Sequence, residues 1–432
     1  MQSIRDHLEI ILSRLANRAA DERVYTKVYA EAARAAADAS DARKRAAVSL
    51  GPLDGTIVSI KDLFDVAGEP TTAGSLMLKN AAPPLWDAAI VSRLRQAGAI
   101  IIGKTNMTEF AFTAIGDNLH YGTPGNAVDA SRIPGGSSSG AGVSVAEGTC
   151  DIAIGSDTGG SVRIPASLNG VVGFKPTARR VPLTGAYPLS ATLDSIGPLA
   201  LSVAACAVAD AVMSGDEVPP LHLPLSIAGL RVGVPRGVLF DETEPEVAAG
   251  FERCLRALEQ SGVHVVDLLI DDLIAEMRTA TKRASIASME GAEVHADWLS
   301  VGASVPVDPH VSGPLSRAIA IPASVYIRTI RRRGELAAAM AERLASIDVL
   351  ALPTVPIVAP SIATMAGDEA LRNKAEGLLL RNTQVANQFD LCAISLPMPG
   401  MTLPAGLMLV ARNGHDHYLL RIAADVERLL GS

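Results

Sequence analysis

From Gly55 to the end of the chain, short β-branched or apolar runs alternate with stretches of helical spacing, and that alternation most limits the fold. Thr56–Ile60 is β-branched. Asp87 is placed to cap a helix through Ala97, closed by Gly98, and Ala99–Ile102 follows as a buried strand. Gly140–Gly148 reads as a short helix and Asp151–Ile154 as a strand. Arg231–Val234 is another strand. Thr243 and Glu246 form a capping-box pattern that opens a helix to Gln260, with Val263–Leu268 as the next strand. Cys392–Leu396 and Gly406–Val410 read as two strands, before a terminal helix from about His417 to Leu430. This order predicts an α/β fold, a mostly parallel or mixed sheet surrounded by helices. Residues 1–50 are rich in Ala and Arg and read as N-terminal helices packed outside the core, first broken at Gly51-Pro52. There is no internal repeat and no low-complexity linker.

Composition narrows the classes. The 432 residues are 48% hydrophobic and 19% charged, enough for a large core in one big domain or two ordinary ones. A formal net charge of -8 argues against nucleic acid as a partner. Cys150, Cys206, Cys254 and Cys392 are far apart and fit no metal spacing, so they read as buried reduced thiols of a cytoplasmic protein. Met1–Leu15 carries charges throughout and has no signal-peptide core. The apolar run Ile196–Ser214 contains Asp210, and Val349–Met365 is cut by Pro353, Pro356 and Pro360. Both read as core, not as membrane spans.

The chemistry concentrates in glycine- and serine-rich turns. In Gly155–Arg163 a serine, Ser161, follows Gly159-Gly160 directly. Amide groups free of β-carbon crowding can converge there on one developing oxyanion while the hydroxyl attacks. Upstream lie Pro134–Gly140 and a lone Lys61 after the apolar run Ile57–Ile60. Two serines and a buried lysine can form a nucleophile with a proton relay that needs no histidine. Two other motifs are decoys. Gly98–Thr105 matches the phosphate-loop pattern, but three isoleucines in its middle favour an extended strand. Gly136–Gly140 matches the nucleophile-elbow pattern, but the preceding Asn126–Pro134 is a polar loop, not a strand. None of the eight histidines sits in a motif-like setting, and His415 and His417 flank Asp416 in what reads as a solvated turn. Taken singly, Lys61 reads as an exposed strand-end lysine, and Ser137 and Ser161 read as turn residues.

Together these segments carry a resemblance. "GTIVSIKDLFDVAG", "TTAGS", "GAIIIGKTNMTEFAF", "PGGSSSGAGVSVAEG" and "IGSDTGGSVRIPASLNGVVGFKPT" are similar to the amidase signature family, with a weaker echo through Ser195–Leu199 and in "ISLPM" and "PAGLML". The resemblance covers nearly all of the chain past residue 50. It implies the amidase signature fold, one domain over residues 51–432 with a large mixed central sheet. It implies that Ser161 is the nucleophile, and that Ser137, after a cis Gly136–Ser137 peptide, relays its proton to Lys61. The amides of Thr158, Gly159, Gly160 and Ser161 would form the oxyanion hole. Phe112, Ile115, Gly136 and Arg163 are candidate substrate-binding residues, although an ion pair of Arg163 with Asp157 is the favoured reading. The chain departs from the family at Ser139 and at Asn126-Ala127, where glycine and a proline are usual. The resemblance further implies hydrolysis of a small carboxylic acid amide to acid and ammonia, with no metal, no cofactor and no membrane, and it allows a homodimer. Two rival readings are the glutaminase (A) subunit of a tRNA-dependent amidotransferase and a non-catalytic binding module on the same fold.

Overall fold

Eleven strands among the described residues form one mixed sheet, and the candidate site sits where two of its parallel strands end side by side. The computed structural model describes residues 3–18, 21–217 and 226–431. The strands are β1 (Tyr25–Val28), β2 (Ile57–Lys61), β3 (Ile100–Thr105), β4 (Ile152–Asp157), β5 (Val172–Lys175) and β6 (Ser195–Ala200). They continue with β7 (Arg231–Val234), β8 (His264–Asp267), β9 (Val349–Pro353), β10 (Cys392–Pro397) and β11 (Gly406–Ala411). Their order is β1-β3-β2-β4-β6-β5-β10-β11-β9-β7-β8. β2 runs parallel to β3 and β4, and β7 runs parallel to β8 and β9, while the strands between those groups pair antiparallel. Helices cover the sheet and bury its Val, Ile and Leu side chains, as both-face burial of such strands requires.

The expected strands and helices stand within a few residues of their predicted bounds, with four corrections. Residues 1–50 are not all helix. Between Ile4–Asn17 and Ala30–Arg45, Tyr25–Val28 adds an edge strand antiparallel to β3. Asp87 does not cap the Ala89–Gln96 helix. Its carboxylate accepts from Ala67 N and pairs with Arg95 instead. The capping box at Thr243 is absent because Pro245 opens the helix one residue later, and Glu246 accepts from Thr402 N. Asp416 is not solvated: it is buried and accepts from both the amide and the hydroxyl of Thr177. Both decoys are absorbed by the fold. Gly98–Thr105 leads into β3, and its Lys104 pairs with Asp62 at 3.2 Å. No helix among the described residues is long and apolar enough to cross a membrane. All four cysteines are buried and free.

Arg163, a candidate substrate-binding residue by sequence, is instead a structural ion-pair partner. It lies at the start of the Arg163–Asn169 helix, completely buried, and makes a two-pronged pair with Asp157 at 3.0 and 2.8 Å. Its remaining three donors reach Thr383 O at 2.7 Å, Asn387 Oδ1 at 2.7 Å and Met408 Sδ at 3.3 Å, so none is left for a substrate. Burial pushes the Asp157 carboxyl up, but Arg163, with Lys175 and the Asn387 amide, more than offsets this and brings it down to about 2. Arg163→Met should therefore strand a buried carboxylate and cost about 3–5 kcal/mol in urea unfolding. A variant as stable as the parent would show that this pair is not what ties β4 to the Glu369–Gln388 helix.

Candidate active site

Lys61 is the last residue of β2, and Ser156 is the penultimate residue of β4, its parallel neighbour. The parallel pairing sets both side chains at the carboxyl edge, where ligand sites of α/β sheets gather. Lys61 is wholly buried. Its Nζ lies 2.7 Å from Ser137 Oγ and 2.9 Å from Ser156 Oγ. Burial in this dry setting pulls its pKa down to about 7, against the weaker pull of Asp194 and Asp157. The Gly136–Ser137 peptide is cis. Ala114 O accepts from Gly136 N at 2.7 Å, and Thr108 N donates to Ser137 O at 3.1 Å, so both sides of that peptide are held.

Ser161 lies on the turn between β4 and the Arg163 helix, at the wall of a cavity of about 510 Å³. Its hydroxyl has no hydrogen-bond partner among the described residues, Ser137 included. The turn is clamped from two sides. Thr383 Oγ1 donates to Gly159 O at 2.7 Å, and Asn387 Nδ2 donates to Asp157 Oδ1 at 2.9 Å. Thr158 Oγ1 donates to Asp194 at 2.5 Å, and that carboxylate also accepts from Leu189 N and Ser190 N. Gly160 has φ +140°, and a Cβ there would collide with Thr383 Oγ1, so only glycine fits. The amides of Thr158, Gly159, Gly160 and Ser161 donate to no protein acceptor among the described residues. They are available to a ligand oxyanion.

Of the candidates from sequence, Lys61 and Ser137 are brought into contact, and Ser161, Thr158, Gly159 and Phe112 share the cavity. Ile115 is not in its wall; it packs with Ile133, Ile164 and Leu168 in an apolar cluster. Gly136 lies behind the wall, against Gly116 and Thr108. Sequence reasoning missed Ser156, Thr383, Asn387 and Asp194. The i, i+4 pair Thr383 and Asn387, both buried in one helix, was the available signal for two of them. It also passed over His310, which lines the cavity. Both of its ring nitrogens are engaged by carboxylates, Asp308 at 2.9 Å and Glu369 at 3.1 Å. Burial works against the charged ring, but Glu369 and Asp308 outweigh it and raise the His310 pKa. The chain enters the wall at Ala111 through two consecutive non-glycine residues, Phe110 and Ala111, with φ 52° and 59°. It is braced by the Phe110 ring, 4.3 Å from that of His295.

Removal of Ser156 isolates one contact to Lys61. Ser156→Ala takes away an acceptor that favours the ammonium form, so the lysine pKa should fall below about 7 and the acid limb of a pH–rate profile should move down. A limb that moves up would show that Ser156 acts on the neutral amine instead.

The chain resembles known proteins along nearly its whole length. The Amidase family model matches residues 6–420. The 2-amino-5-chloromuconic acid deaminase of Comamonas testosteroni is 37% identical over 406 residues, covering 92% of this chain and 87% of that protein. The A subunit of the glutamyl-tRNA(Gln) amidotransferase of Anaeromyxobacter dehalogenans (strain 2CP-C) is 34% identical, across 94% of this chain and 89% of its own. A crystal structure of an amidase superposes with a TM-score of 0.89 at 33% identity, covering 100% of this chain and 97% of that one. The chain therefore belongs to the Amidase family, whose members are amidohydrolases acting on C–N bonds.

Proposed function

We propose that the protein hydrolyses a small carboxylic acid amide to the acid and ammonia, through an acyl-enzyme on Ser161 with Ser137 and Lys61 as proton relay. The observation that carries this reading is the buried Lys61 amine 2.7 Å from Ser137 Oγ. An amine with a pKa of about 7 is largely free base just above neutrality, and a free base is what the relay needs.

When substrate enters, the Ser161 side chain turns its hydroxyl onto Ser137, a contact of the kind that often tightens only in the complex. Ser137 passes its proton to Lys61 and takes the proton of Ser161. Ser161 Oγ bonds to the amide carbon, and the carbonyl electrons move to an oxygen held by the amides of Thr158 to Ser161. As the intermediate collapses the C–N bond breaks, and Lys61, through Ser137, returns a proton to the leaving nitrogen. Ammonia departs. Water then attacks the ester, giving its proton to the same relay. The acid leaves, and Ser161 regains its hydrogen.

A second reading, the glutaminase subunit of a tRNA-dependent amidotransferase, is favoured by the 34% identity to such a subunit. The two are separated by assaying ammonia release from simple amides and from glutamine by the chain alone. Glutamine hydrolysis that appears only with a partner subunit, and no turnover of simple amides, would select the amidotransferase.

Ser161→Ala should abolish turnover and labelling by a fluorophosphonate while leaving the unfolding curve in place. A variant that still turns over at the parent rate overturns the nucleophile. Ser137→Ala should lose ~10²–10⁴-fold in kcat. A loss under about threefold, against that range, would make Ser137 a loop residue only.

The pH profile tests Lys61. The working form is neutral, so kcat/KM should rise with pH through about 7 and level above it. Lys61→Arg stays charged at every usable pH and should be as inactive as Lys61→Ala. An active arginine variant would mean that a fixed positive charge is what the site requires.

A further inference from the structure

The cavity that holds Ser161 is larger than the relay needs, and its far walls carry their own pattern of charge. The Pro309–Ala318 helix turns Val311, Leu315 and Ala318 into an apolar cluster. Its other face, at spacings of four and three, sends His310, Pro314 and Arg317 to the cavity. The Glu369–Gln388 helix forms a second wall with Glu369, Arg372, Glu376, Leu380, Gln384 and Gln388, roughly one per turn.

Nearly every charge on those walls is answered from within. Arg372 is held two-pronged by Asp117 at 2.5 and 3.1 Å. His310 and Glu369 pair with one another, and Asp308 takes the other nitrogen of the ring. Glu376 accepts from Ala114 N at 2.8 Å through Oε1, while Oε2 is buried without a partner. Burial pushes that carboxyl up to about 7, so near neutrality a protonated form is present that can donate a hydrogen bond to an anion. Arg317 is different. It lines the cavity with no carboxylate and no hydrogen-bond acceptor among the described residues. Among the cations of these walls, exposed Arg317 is thus the one that no described residue answers, and its planar fork suits a carboxylate.

We propose that the substrate is a small amide whose far end carries a carboxylate, and that Arg317 binds that carboxylate while the amide carbonyl meets Ser161. The chemical class is the monoamides of dicarboxylic acids and related acids bearing a carbamoyl group. This rests on the amidase reading above and adds the substrate class to it. The product of a dicarboxylic monoamide is then ammonia and a dicarboxylate.

Two measurements test the proposal, and only one of them needs turnover. In the first, ammonia release is followed for ω-carboxylated monoamides of graded length and for neutral amides of the same lengths, with the parent, Arg317→Gln and Arg317→Lys. The parent should favour the carboxylated series at one length or more. In Arg317→Gln that preference, as a ratio of kcat/KM values, should fall roughly 10- to 100-fold, mainly through KM. Arg317→Lys should keep part of it, since the charge remains and the fork is lost. In the second, the matching dicarboxylates are titrated calorimetrically into Ser161→Ala and into Ser161→Ala with Arg317→Gln. Binding should weaken when Arg317 is removed and when salt is raised. A parent that prefers the neutral amides, or an Arg317→Gln protein that keeps both the preference and the dicarboxylate affinity, overturns the proposal. Failure of the amidase reading looks different: Ser161→Ala would still release ammonia, or no amide would be cleaved, while the titration still reports on Arg317.

Discussion

The buried pair of Asp157 and Arg163 is the interaction on which the rest of the site depends. Asp157 ends β4, Arg163 starts the next helix, and the turn between them carries Ser161. Closing the turn's two ends on one another fixes its span. The spare guanidinium donors then bind it to Thr383 and Asn387, more than two hundred residues later in the chain. An isolated pair this deep is weak support for stability as such, because both charges had to leave water. Its value here is geometric: the planar fork permits only one disposition of strand end, helix start and distant helix.

Three lysines are buried to the same degree, and their surroundings give them different chemistry. Lys104 meets a carboxylate, Asp62, together with Pro70 O and Thr71 Oγ1. Lys175 is held by two carbonyls, Pro176 O and Leu391 O, and burial lowers its pKa only to about 8. Lys61 touches only hydroxyls, and its pKa falls to about 7. A hydroxyl accepts from the ammonium but can also donate to the free amine, so it holds the ammonium less firmly than a carbonyl or carboxylate, which can only accept. Lys61 is thus set apart by touching hydroxyls alone, at a depth of burial that Lys104 and Lys175 share.

Much of this was legible in the chain. Strand positions followed from β-branched runs bounded by glycine, and the isoleucines of Gly98–Thr105 correctly outweighed a phosphate-loop pattern. Lys61, Ser137 and Ser161 stood out because glycine and serine cluster around the serines and an apolar run precedes the lysine. The failures have a common cause. The caps at Asp87 and Thr243 are local patterns that longer-range partners, Ala67, Arg95 and Thr402, took over. Tyr25–Val28 became a strand because β3 offered it an open edge, which local composition cannot announce. Arg163 was rightly suspected of pairing with Asp157 six residues before it, but its ties to Thr383 and Asn387 depend on how distant segments pack.

The cavity draws its walls and its proposed reactive groups from different stretches of the chain. Lys61, Ser137 and Ser161 come from the first 161 residues, whereas Thr281–Ser288, Pro309–Arg317 and Glu369–Gln388 supply most of the remaining lining. Only the last of these also braces the Ser161 turn, and it does so through Thr383 and Asn387, which are absent from the lining. Selection can therefore redraw what the protein accepts by substitution in the later segments while the bond-breaking apparatus is inherited unchanged. Divergence within such a lineage should run fastest along the cavity-facing sides of two helices, and a new specificity is open to it without passing through an inactive ancestor.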